Sequence, residues 1–360
     1  MRVPINAPLL GRRELSAAAA VLKEGALTSA GSAGGRRVQE LEKAAASFTG
    51  SKYAVVVNSG TAALQAGLLA LGVKQGDEVL LPSFTFVATA NAVATVGAKP
   101  VFVDIGRGYA MDPADLEAKI TRRSRAAIPV HLYGGMAPMG EIKRIARKSG
   151  LAVLEDAAQA LGSALDGRHA GTIGDAGCYS LYPAKVLTSG EGGIVVTGSK
   201  RIRDRLRMIR NHGMVRGNDT RMPGMNLRMP EVGAAIAVEQ FKRLPGFLSK
   251  RRRNAGALAA LLKGSGVLTP SERPGERANW YLYTIEARGR GRLMGRLNAA
   301  GYGAAAYYPV PVHRMPYYKD GTSLPATERA AGRVLSLPIH PGVTRRDLEG
   351  MARIIRGAAR

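Results

Sequence analysis

Three short segments of the sequence carry residues that could act together in one site. In "VVVNSGTAAL" an apolar strand pattern leads through a turn into a helix, so free backbone N–H groups near Gly60 and Thr61 could bind a phosphate. In "LEDAAQALG" Asp156 follows Glu155 at the end of another apolar strand. In "YSLYPAKVLTSGEGGIVV" Lys185 precedes a glycine-rich turn and a further apolar run. The three segments therefore offer a phosphate site, an acid and an amine.

Each segment alone also has a plainer explanation. The first could be an ordinary capped turn, Asp156 could cap a helix, and Lys185 could be a loop lysine. Together the three match the needs of pyridoxal phosphate. The helix start would anchor the phosphate, the acid would keep the pyridine nitrogen protonated, and a lysine with a lowered pKa would form the imine. "PSFTFVAT" offers Phe84 and Phe86 as partners for the ring.

Strand and helix patterns alternate through the first part of the chain. Apolar runs in "KYAVVV", "DEVLLPS", "KPVFVD" and "LAVLEDAA" predict strands, and the segments between them predict helices. Repeated strand–helix–strand units predict an α/β fold with a largely parallel sheet. Ligands of such sheets bind outside the carboxyl ends of the strands, where Asp156 would lie.

A change of pattern near residue 245 predicts a second domain. "LPGFLSKRRRNAGALAALLKG" is interpreted as a Pro/Gly break followed by a long basic helix. The later segments predict a strand in "NWYLYTIEA", a helix in "GRLMGRLNAAGYG", an irregular stretch in "AAAYYPVPVHRMPYY" and a closing helix. We therefore expect a large cofactor-binding domain over 1–245, with the N-terminal arm included, and a smaller C-terminal α+β domain over 246–360.

The cysteine and histidine content argues against several kinds of site. Cys178 is the one cysteine among 360 residues, so no intramolecular disulfide can form. Five scattered histidines give no zinc-binding pattern, and no metal site is expected. No apolar run approaches the ~20 residues that span a bilayer, and the N-terminal segment has no signal-peptide pattern. A cytoplasmic protein without membrane contact is expected.

The charge is strongly positive and favours anionic partners. Lys and Arg number 52 and Asp and Glu 27, which gives a net charge of +25 and a pI near 10.7. The basic residues are spread through helical patterns such as "RIRDRLRMIRNHG", without a long basic block or an RNA-binding signature. A solvated, arginine-rich surface is expected rather than a dedicated nucleic-acid site.

Read in order along the chain, these segments resemble the DegT/DnrJ/EryC1/StrS family of sugar aminotransferases. The resemblance runs almost from end to end and is carried by "NSGTAAL", "GDEVLLPSFTFVATANAV", "KPVFVDI", "IPVHLYG", "LEDAAQALGS", "AKVLTSGEGGIVVT", "NLRMPEVGAAIAVEQ", "YYPVPVH" and "LSLPIHPGVT". It implies the fold-type-I architecture of pyridoxal-phosphate-dependent transferases, and a homodimer with shared active sites.

The resemblance implies a role for each matching residue. Lys185 would carry pyridoxal phosphate as an aldimine and move the proton during the reaction. Asp156 would pair with the pyridine nitrogen, and Gln159 would contact the side of the ring that bears the 3-oxygen. Phe86 would stack on the ring. The phosphate ligands would be Gly60, Thr61 and Ser180, together with Asn226 from the neighbouring subunit.

The substrates implied by the resemblance are L-glutamate as donor and a keto-sugar, mostly nucleotide-linked, as acceptor. Tyr308 and His313 lie in the segment that would approach the sugar, although His313 could equally be a packed core histidine. "VHRMPYYKD" favours a 4-keto-6-deoxy sugar, "YYPVPVH" keeps a 3-keto sugar close behind, and a keto-inositol is third. The alternative class is a basic regulatory or nucleic-acid-binding protein that retains the fold.

Some residues depart from the family pattern. The family often has a tyrosine where Leu227 stands, a glutamine where Gly233 stands, and "FSF" where this chain has "YSL". These differences bear on the substrate more than on the cofactor. The lysine at position 185 argues against the sugar dehydratases of the family, which replace it with histidine.

Overall fold

A computed structural model describes residues 2–358, which are built around a central seven-stranded sheet. The strands in chain order are β1 (Tyr53–Val57), β2 (Glu78–Pro82), β3 (Lys99–Val103), β4 (Ser124–Ala127), β5 (Ala152–Asp156), β6 (Ala164–Leu165), β7 (Arg168–His169), β8 (Ala176–Ser180), β9 (Gly193–Thr197), β10 (Met214–Arg216), β11 (Asp219–Thr220), β12 (Glu276–Arg277), β13 (Tyr283–Glu286) and β14 (Val334–Leu337). The predicted strands in the four apolar runs are confirmed as β1, β2, β3 and β5.

The helices alternate with the strands of the central sheet and then dominate the C-terminal part. They are α1 (Arg12–Glu24), α2 (Arg36–Thr49), α3 (Gly60–Leu71), α4 (Ala88–Thr95), α5 (Pro113–Ala118), α6 (Met139–Lys148), α7 (Lys200–Arg210), α8 (Glu231–Leu262), α9 (Arg290–Ala299), α10 (Pro325–Arg333) and α11 (Arg345–Ala358). The sequence did not predict α1, which packs on α8.

The central sheet has the strand order β1-β9-β8-β5-β4-β2-β3. Strand β9 pairs antiparallel with both β1 and β8, and the remaining pairs are parallel. The largely parallel sheet is therefore confirmed, and the strands β1, β5 and β8 end at the same edge. The glycine-rich segment before β9 makes the chain reversal that the sequence predicts, because β8 and β9 are antiparallel neighbours.

The sheet is covered on both faces, as its apolar strands require. In β1, Val56 belongs to the core under α2, α6 and α8, whereas Val55 and Val57 belong to the core under α3, α4 and α7. Successive side chains of a strand point to opposite faces, so one strand serves both cores. This double burial holds the carboxyl edge of the sheet, where the candidate site lies, in a fixed geometry.

The predicted break at Pro245 is wrong, because helix α8 passes through this residue. The helix runs without interruption for 32 residues from Glu231 to Leu262, with Pro245 inside it. A proline inside a helix costs about 3 kcal/mol because it removes one backbone hydrogen bond and crowds the preceding turn. Burial continues on both sides of it, with Leu244 in the large core and Leu258 in a C-terminal core, which offsets that cost. The expected boundary at 245/246 thus falls inside a continuous helix.

The C-terminal core joins the end of α8 to β13, β14, α9 and α11. The N-terminal arm also contributes to it, because Val3 is buried there and pairs with Tyr302. This separate core supports a C-terminal unit that shares α8 with the large one. Within residues 2–358, no helix is long and apolar enough to cross a bilayer.

Candidate active site

The start of helix α3 faces strand β8 at the carboxyl edge of the sheet. The Oγ of Ser59 caps the helix by accepting a hydrogen bond from the N–H of Ala62 at 3.1 Å. A Cβ added at Gly60 would lie 2.8 Å from the Cβ of Ser180, so the close approach of the two segments requires glycine. Thr61 follows in the first turn, and it and Ser180 remain partly exposed. The structure thus brings three predicted phosphate ligands together.

Asp156 lies at the end of β5 with its carboxylate held from two sides. Its Oδ2 accepts a hydrogen bond from the Thr89 hydroxyl at 2.8 Å, and its Oδ1 accepts one from the N–H of Ala158 at 3.1 Å. Burial raises the pKa of Asp156, and the two hydrogen bonds and the charge of Lys185 oppose that rise. A buried carboxylate whose charge is supported by two hydrogen bonds and a nearby ammonium can pair with a protonated ring nitrogen.

The neighbouring acid, Glu155, points to the other side of the strand and does not join Asp156. Its carboxylate accepts hydrogen bonds from His131 Nε2 at 2.8 Å and from the backbone N–H of Gly171 at 2.8 Å and Ile173 at 2.6 Å. These bonds hold the loop before β8. Of the two acids in "LEDAAQ", Asp156 alone therefore has the contacts of the site.

Lys185 lies in the loop between β8 and β9, where its N–H donates to the carbonyl of Tyr182 at 2.9 Å. The residue keeps partial exposure to solvent, whereas protein atoms surround its ammonium group. This burial lowers the pKa of Lys185 to about 8, against the opposing charge of Asp156. The Nζ lies 4.8 Å from the centre of the Tyr281 ring. Such a lysine has a larger neutral fraction near physiological pH than a solvated lysine has.

Gln159 connects the loop after β5 to the C-terminal segment. Its Oε1 accepts a hydrogen bond from the backbone N–H of Tyr133 at 2.8 Å, which fixes the orientation of the amide. Its Nε2 then donates to the hydroxyl of Tyr308 at 2.9 Å. The structure therefore brings Tyr308 to the predicted cofactor ligand Gln159.

The two phenylalanines of "SFTF" have different surroundings. Phe84 is fully buried in the large core, whereas the side chain of Phe86 is 56% exposed. The Phe86 ring lies with its centre 6.1 Å from that of Tyr308. Of the two, Phe86 is the one that is free to stack on a ligand beside Tyr308.

Asn226 and His313 lie apart from this group of contacts. Asn226 is exposed and pairs through its backbone with Asn211. His313 is buried: its Nδ1 is 2.7 Å from the hydroxyl of Ser83, and its Nε2 is 3.2 Å from Glu328 Oε1. Because both ring nitrogens are engaged, the structure supports the alternative of a packed core histidine.

Sequence reasoning missed three residues that contact the site. Thr89 donates to Asp156, Tyr133 orients Gln159, and Tyr281 lies against the Lys185 ammonium. Thr89 follows "SFTF" by three positions, so the start of helix α4 was a signal that a hydroxyl could face the site. Nothing in the sequence links Tyr281 to Lys185, because the contact depends on how the C-terminal part folds back.

These residues fit pyridoxal phosphate. The glycine at position 60 lets the hydroxyl of Ser180 approach a helix start, and free backbone N–H groups at a helix start can bind a phosphate. A buried carboxylate and a lysine of lowered pKa lie at the same edge, each influencing the charge of the other. Asp156 would hold the ring nitrogen, Lys185 the aldehyde carbon, and Gly60, Thr61 and Ser180 the phosphate.

Comparison with known proteins agrees with this geometry. The model of the DegT/DnrJ/EryC1/StrS aminotransferase family matches residues 8–356. The UDP-N-acetyl-3-dehydro-alpha-D-glucosamine 3-aminotransferase of Acidithiobacillus ferrooxidans is 41% identical over 89% of this chain and 88% of its own length. The UDP-2-acetamido-2-deoxy-3-oxo-D-glucuronate aminotransferase of Pseudomonas aeruginosa is 39% identical over 85% of this chain and 86% of its own length.

Solved structures give the same result for the fold. The crystal structure of S. venezuelae DesV in complex with a ketimine intermediate superposes with a TM-score of 0.93 at 35% identity, covering 99% of both chains. The fold-type-I architecture that the sequence predicts is thereby confirmed. The chain belongs to the DegT/DnrJ/EryC1/StrS aminotransferase family and is a pyridoxal-phosphate-dependent aminotransferase.

Proposed function

We propose that the chain transfers an amino group from L-glutamate to a nucleotide-linked 3-keto sugar, using pyridoxal phosphate held covalently on Lys185. The observation that carries the proposal is that two buried groups, the Lys185 ammonium and the Asp156 carboxylate, lie near enough at the carboxyl edge of the sheet for each to influence the pKa of the other. The pKa of the lysine is lowered to about 8 there by burial, and the carboxylate opposes that shift. A lysine of lowered pKa beside a buried acid is uncommon outside functional sites.

Each residue of the site would have a separate role in the reaction. Pyridoxal phosphate, when bound, supplies an electron sink that lets an amino group be exchanged. Asp156 would hold the positive charge on the ring nitrogen, aided by the Thr89 hydroxyl at 2.8 Å. The amine of Lys185, when it is not bonded to the cofactor, would carry a proton between donor and acceptor atoms. Tyr308 would donate a hydrogen bond to the sugar, since its oxygen already accepts one from Gln159.

The acceptor is proposed from the relatives. Two of the most similar ones bear the names of enzymes that act on UDP-sugars with a 3-dehydro or 3-oxo group. This favours C3 over the 4-keto-6-deoxy sugar that "VHRMPYYKD" suggests. The net charge of +25 is suited to a nucleotide diphosphate, whose two phosphates carry negative charge.

Donor and acceptor would occupy one site in turn. Glutamate would leave as 2-oxoglutarate before the sugar enters, which predicts ping-pong kinetics. We also propose a homodimer in which Asn226 completes the phosphate site of the neighbouring subunit. The exposure of Asn226, which leaves it available to a partner, supports this arrangement.

The direct test is the amination of candidate sugars, measured by mass spectrometry. The full-length protein is incubated with ¹⁵N-labelled glutamate and a panel of UDP- and dTDP-linked sugars that carry a ketone at C3 or at C4. Incorporation of ¹⁵N into a 3-keto nucleotide sugar, absent in Lys185→Ala, supports the proposal. Amination confined to 4-keto sugars would reverse the choice of carbon, and no amination of any sugar nucleotide would refute the substrate class.

A further inference from the structure

A tyrosine from the C-terminal part of the chain lies against the reactive lysine. The centre of the Tyr281 ring is 4.8 Å from Lys185 Nζ, within the range in which an aromatic face attracts an ammonium group. Tyr281 is 5% exposed, so its ring has little freedom to leave that position. The contact favours the charged form of the lysine, because the face of the ring is electronegative.

Asn279 connects the backbone of Tyr281 to the loop after β5. The Tyr281 N–H donates to Asn279 Oδ1 at 2.8 Å. The Nδ2 of Asn279 donates to the carbonyls of Gln159 at 2.9 Å and Leu161 at 3.0 Å. Asn279 is fully buried, and a Cβ at Gly134 would clash with its side chain, so the glycine there makes room for this connection. The side chain of Asn279 therefore links the turn that carries Tyr281 to the loop after β5.

Arg251 holds the same turn from the other side. It lies in α8, is 2% exposed, and donates through Nη1 to the carbonyls of Tyr281 at 3.0 Å and Trp280 at 3.2 Å. Its remaining contact is Nη2 to Asn6 Oδ1 at 3.4 Å, so its described partners include no carboxylate. Trp280 has a positive φ of 55°, a conformation that costs a non-glycine residue energy. The hydrogen bonds from this buried guanidinium to two backbone carbonyls fix the position of the turn.

We propose that Tyr281 binds the ammonium form of Lys185, and that Asn279 and Arg251 are positioning residues that hold its ring against that group. The proposal rests on the role of Lys185 proposed above and adds the residues that govern its charge. Its consequence is that the C-terminal part of the chain helps to keep the released lysine protonated and oriented. That lysine can then deliver its proton instead of losing it to solvent.

Other charged and titratable groups near Lys185 and Tyr281 also bear on whether the ammonium form of the lysine is favoured. Asp156, at the end of β5, favours the ammonium form, and burial disfavours it. Burial raises the pKa of Tyr281 and that of Tyr307, so these two phenols stay neutral at pH 7. Arg251 carries the same charge as Lys185 and is bound to the backbone carbonyl of Tyr281. A variant that tests position must therefore keep this charge.

The test measures the pKa of Lys185 in full-length protein from which cofactor has been removed. Competitive acetylation with acetic anhydride over a range of pH, read by mass spectrometry of the Lys185 peptide, gives the pKa of that one amine. Tyr281→Phe keeps the aromatic face, and its Lys185 pKa should match the wild type. Tyr281→Leu removes the face, and the pKa should fall by about half to one unit. An unchanged or raised pKa in folded Tyr281→Leu overturns the proposal.

Two further variants separate position from folding. Trifluorophenylalanine at position 281 keeps the shape of phenylalanine but weakens its face, so the pKa should fall relative to Tyr281→Phe even if Tyr281→Leu does not fold. Arg251→Lys keeps the charge but loses the paired donors, and it should lower the pKa in part. Combined with Tyr281→Leu it should cause no further fall, because both act through one ring. Additive shifts would contradict the positioning role.

These measurements distinguish failure of the proposed role of Tyr281 from failure of the proposed function. Labelling reads the lysine in the absence of cofactor and substrate. If wild-type protein does not attach pyridoxal phosphate at Lys185 yet Tyr281→Leu lowers the pKa, the contact stands and the proposed function fails. If the cofactor attaches and the pKa does not respond, the function stands and the role of Tyr281 is refuted.

Discussion

Gln159 Nε2 donates a hydrogen bond to the Tyr308 hydroxyl at 2.9 Å, which joins the loop after β5 to the C-terminal segment. The direction of this bond is set by the backbone N–H of Tyr133, which can only donate and therefore faces Gln159 Oε1. Tyr308 accepts from the amide, so its own O–H proton remains available. A polar group of a sugar placed beside Phe86 would be its natural acceptor.

Tyr308→Phe removes that donor while keeping the ring. We expect kcat/KM for the sugar substrate to fall about tenfold, the effect of one hydrogen bond of ~1.4 kcal/mol. The half-reaction with glutamate should change much less, because the donor does not need this contact. Steady-state kinetics with each substrate varied separately measures both. An equal loss in both half-reactions would place Tyr308 with the cofactor instead of the sugar.

Thr89→Val should weaken cofactor binding. The hydroxyl of Thr89 donates to Asp156 Oδ2 at 2.8 Å, and without it burial raises the pKa of Asp156 further and the anion is less stable. A lost hydrogen bond to a charged group costs about 1.5–3 kcal/mol, so the Kd of pyridoxal phosphate should rise at least tenfold. Titration followed by visible absorbance measures the Kd. Thr95→Val is the matched control: Thr95 lies on the same helix, bonds to Asn91 O at 2.7 Å, and should leave the Kd unchanged.

Cofactor attachment should speed up as pH rises towards 8. The neutral amine is the nucleophile, and the pKa of Lys185 is lowered to about 8 by burial, so the ammonium form dominates below that pH. The rate should rise about tenfold per pH unit below 8 and level off above it. Stopped-flow absorbance after mixing cofactor-free protein with pyridoxal phosphate gives the profile. A rate that continues to climb above pH 10 would show an ordinary, solvated lysine.

His313→Ala should act on stability rather than on substrate binding. Its ring joins Ser83 at the end of β2 to Glu328 in α10, and it is 1% exposed. Losing these buried contacts should lower the free energy of unfolding by about 1–3 kcal/mol. Denaturant unfolding measures this change, and sugar KM is determined on the folded variant. A tenfold rise in KM with unchanged stability would instead restore the expectation that His313 contacts the sugar.

Mixing two inactive variants should restore activity if subunits share sites. Lys185→Ala lacks the attachment point, and Asn226→Ala lacks the group that we expect to cross to the neighbouring phosphate. A mixed dimer has one site with both changes and one with neither. After random exchange, activity should therefore recover to about a quarter of the wild-type value. Recovery that never exceeds that of either parent would show that Asn226 serves its own subunit.

The sequence predicts those parts of the fold that local patterns determine. The apolar runs that became β1, β2, β3 and β5 are buried on both faces, so their composition alone marks them. The reaction class followed from Lys185, Asp156 and the start of α3, once their order along the chain matched a family. The prediction of an aminotransferase is confirmed by that family assignment, in preference to the alternative of a regulatory or nucleic-acid-binding protein that only retains the fold.

Other features depend on tertiary contacts that no local pattern records. Pro245 predicts a break, but packing on both sides of it keeps α8 continuous. "LEDAAQ" does not reveal that Glu155 turns to the backbone of residues 171–174 while Asp156 turns to Thr89. The contact between Tyr281 and Lys185 arises only when the C-terminal part packs against the loop between β8 and β9.

The most direct test of the account is to locate the attached cofactor. The full-length protein is saturated with pyridoxal phosphate, reduced with borohydride, digested and examined by peptide mass spectrometry, with Lys185→Arg as the matched control. The account predicts a pyridoxyl group on Lys185, in the peptide that contains "YPAKVLTSGEGG", and none in the control. A label on a different lysine, or a wild-type protein that takes up no label, would contradict it.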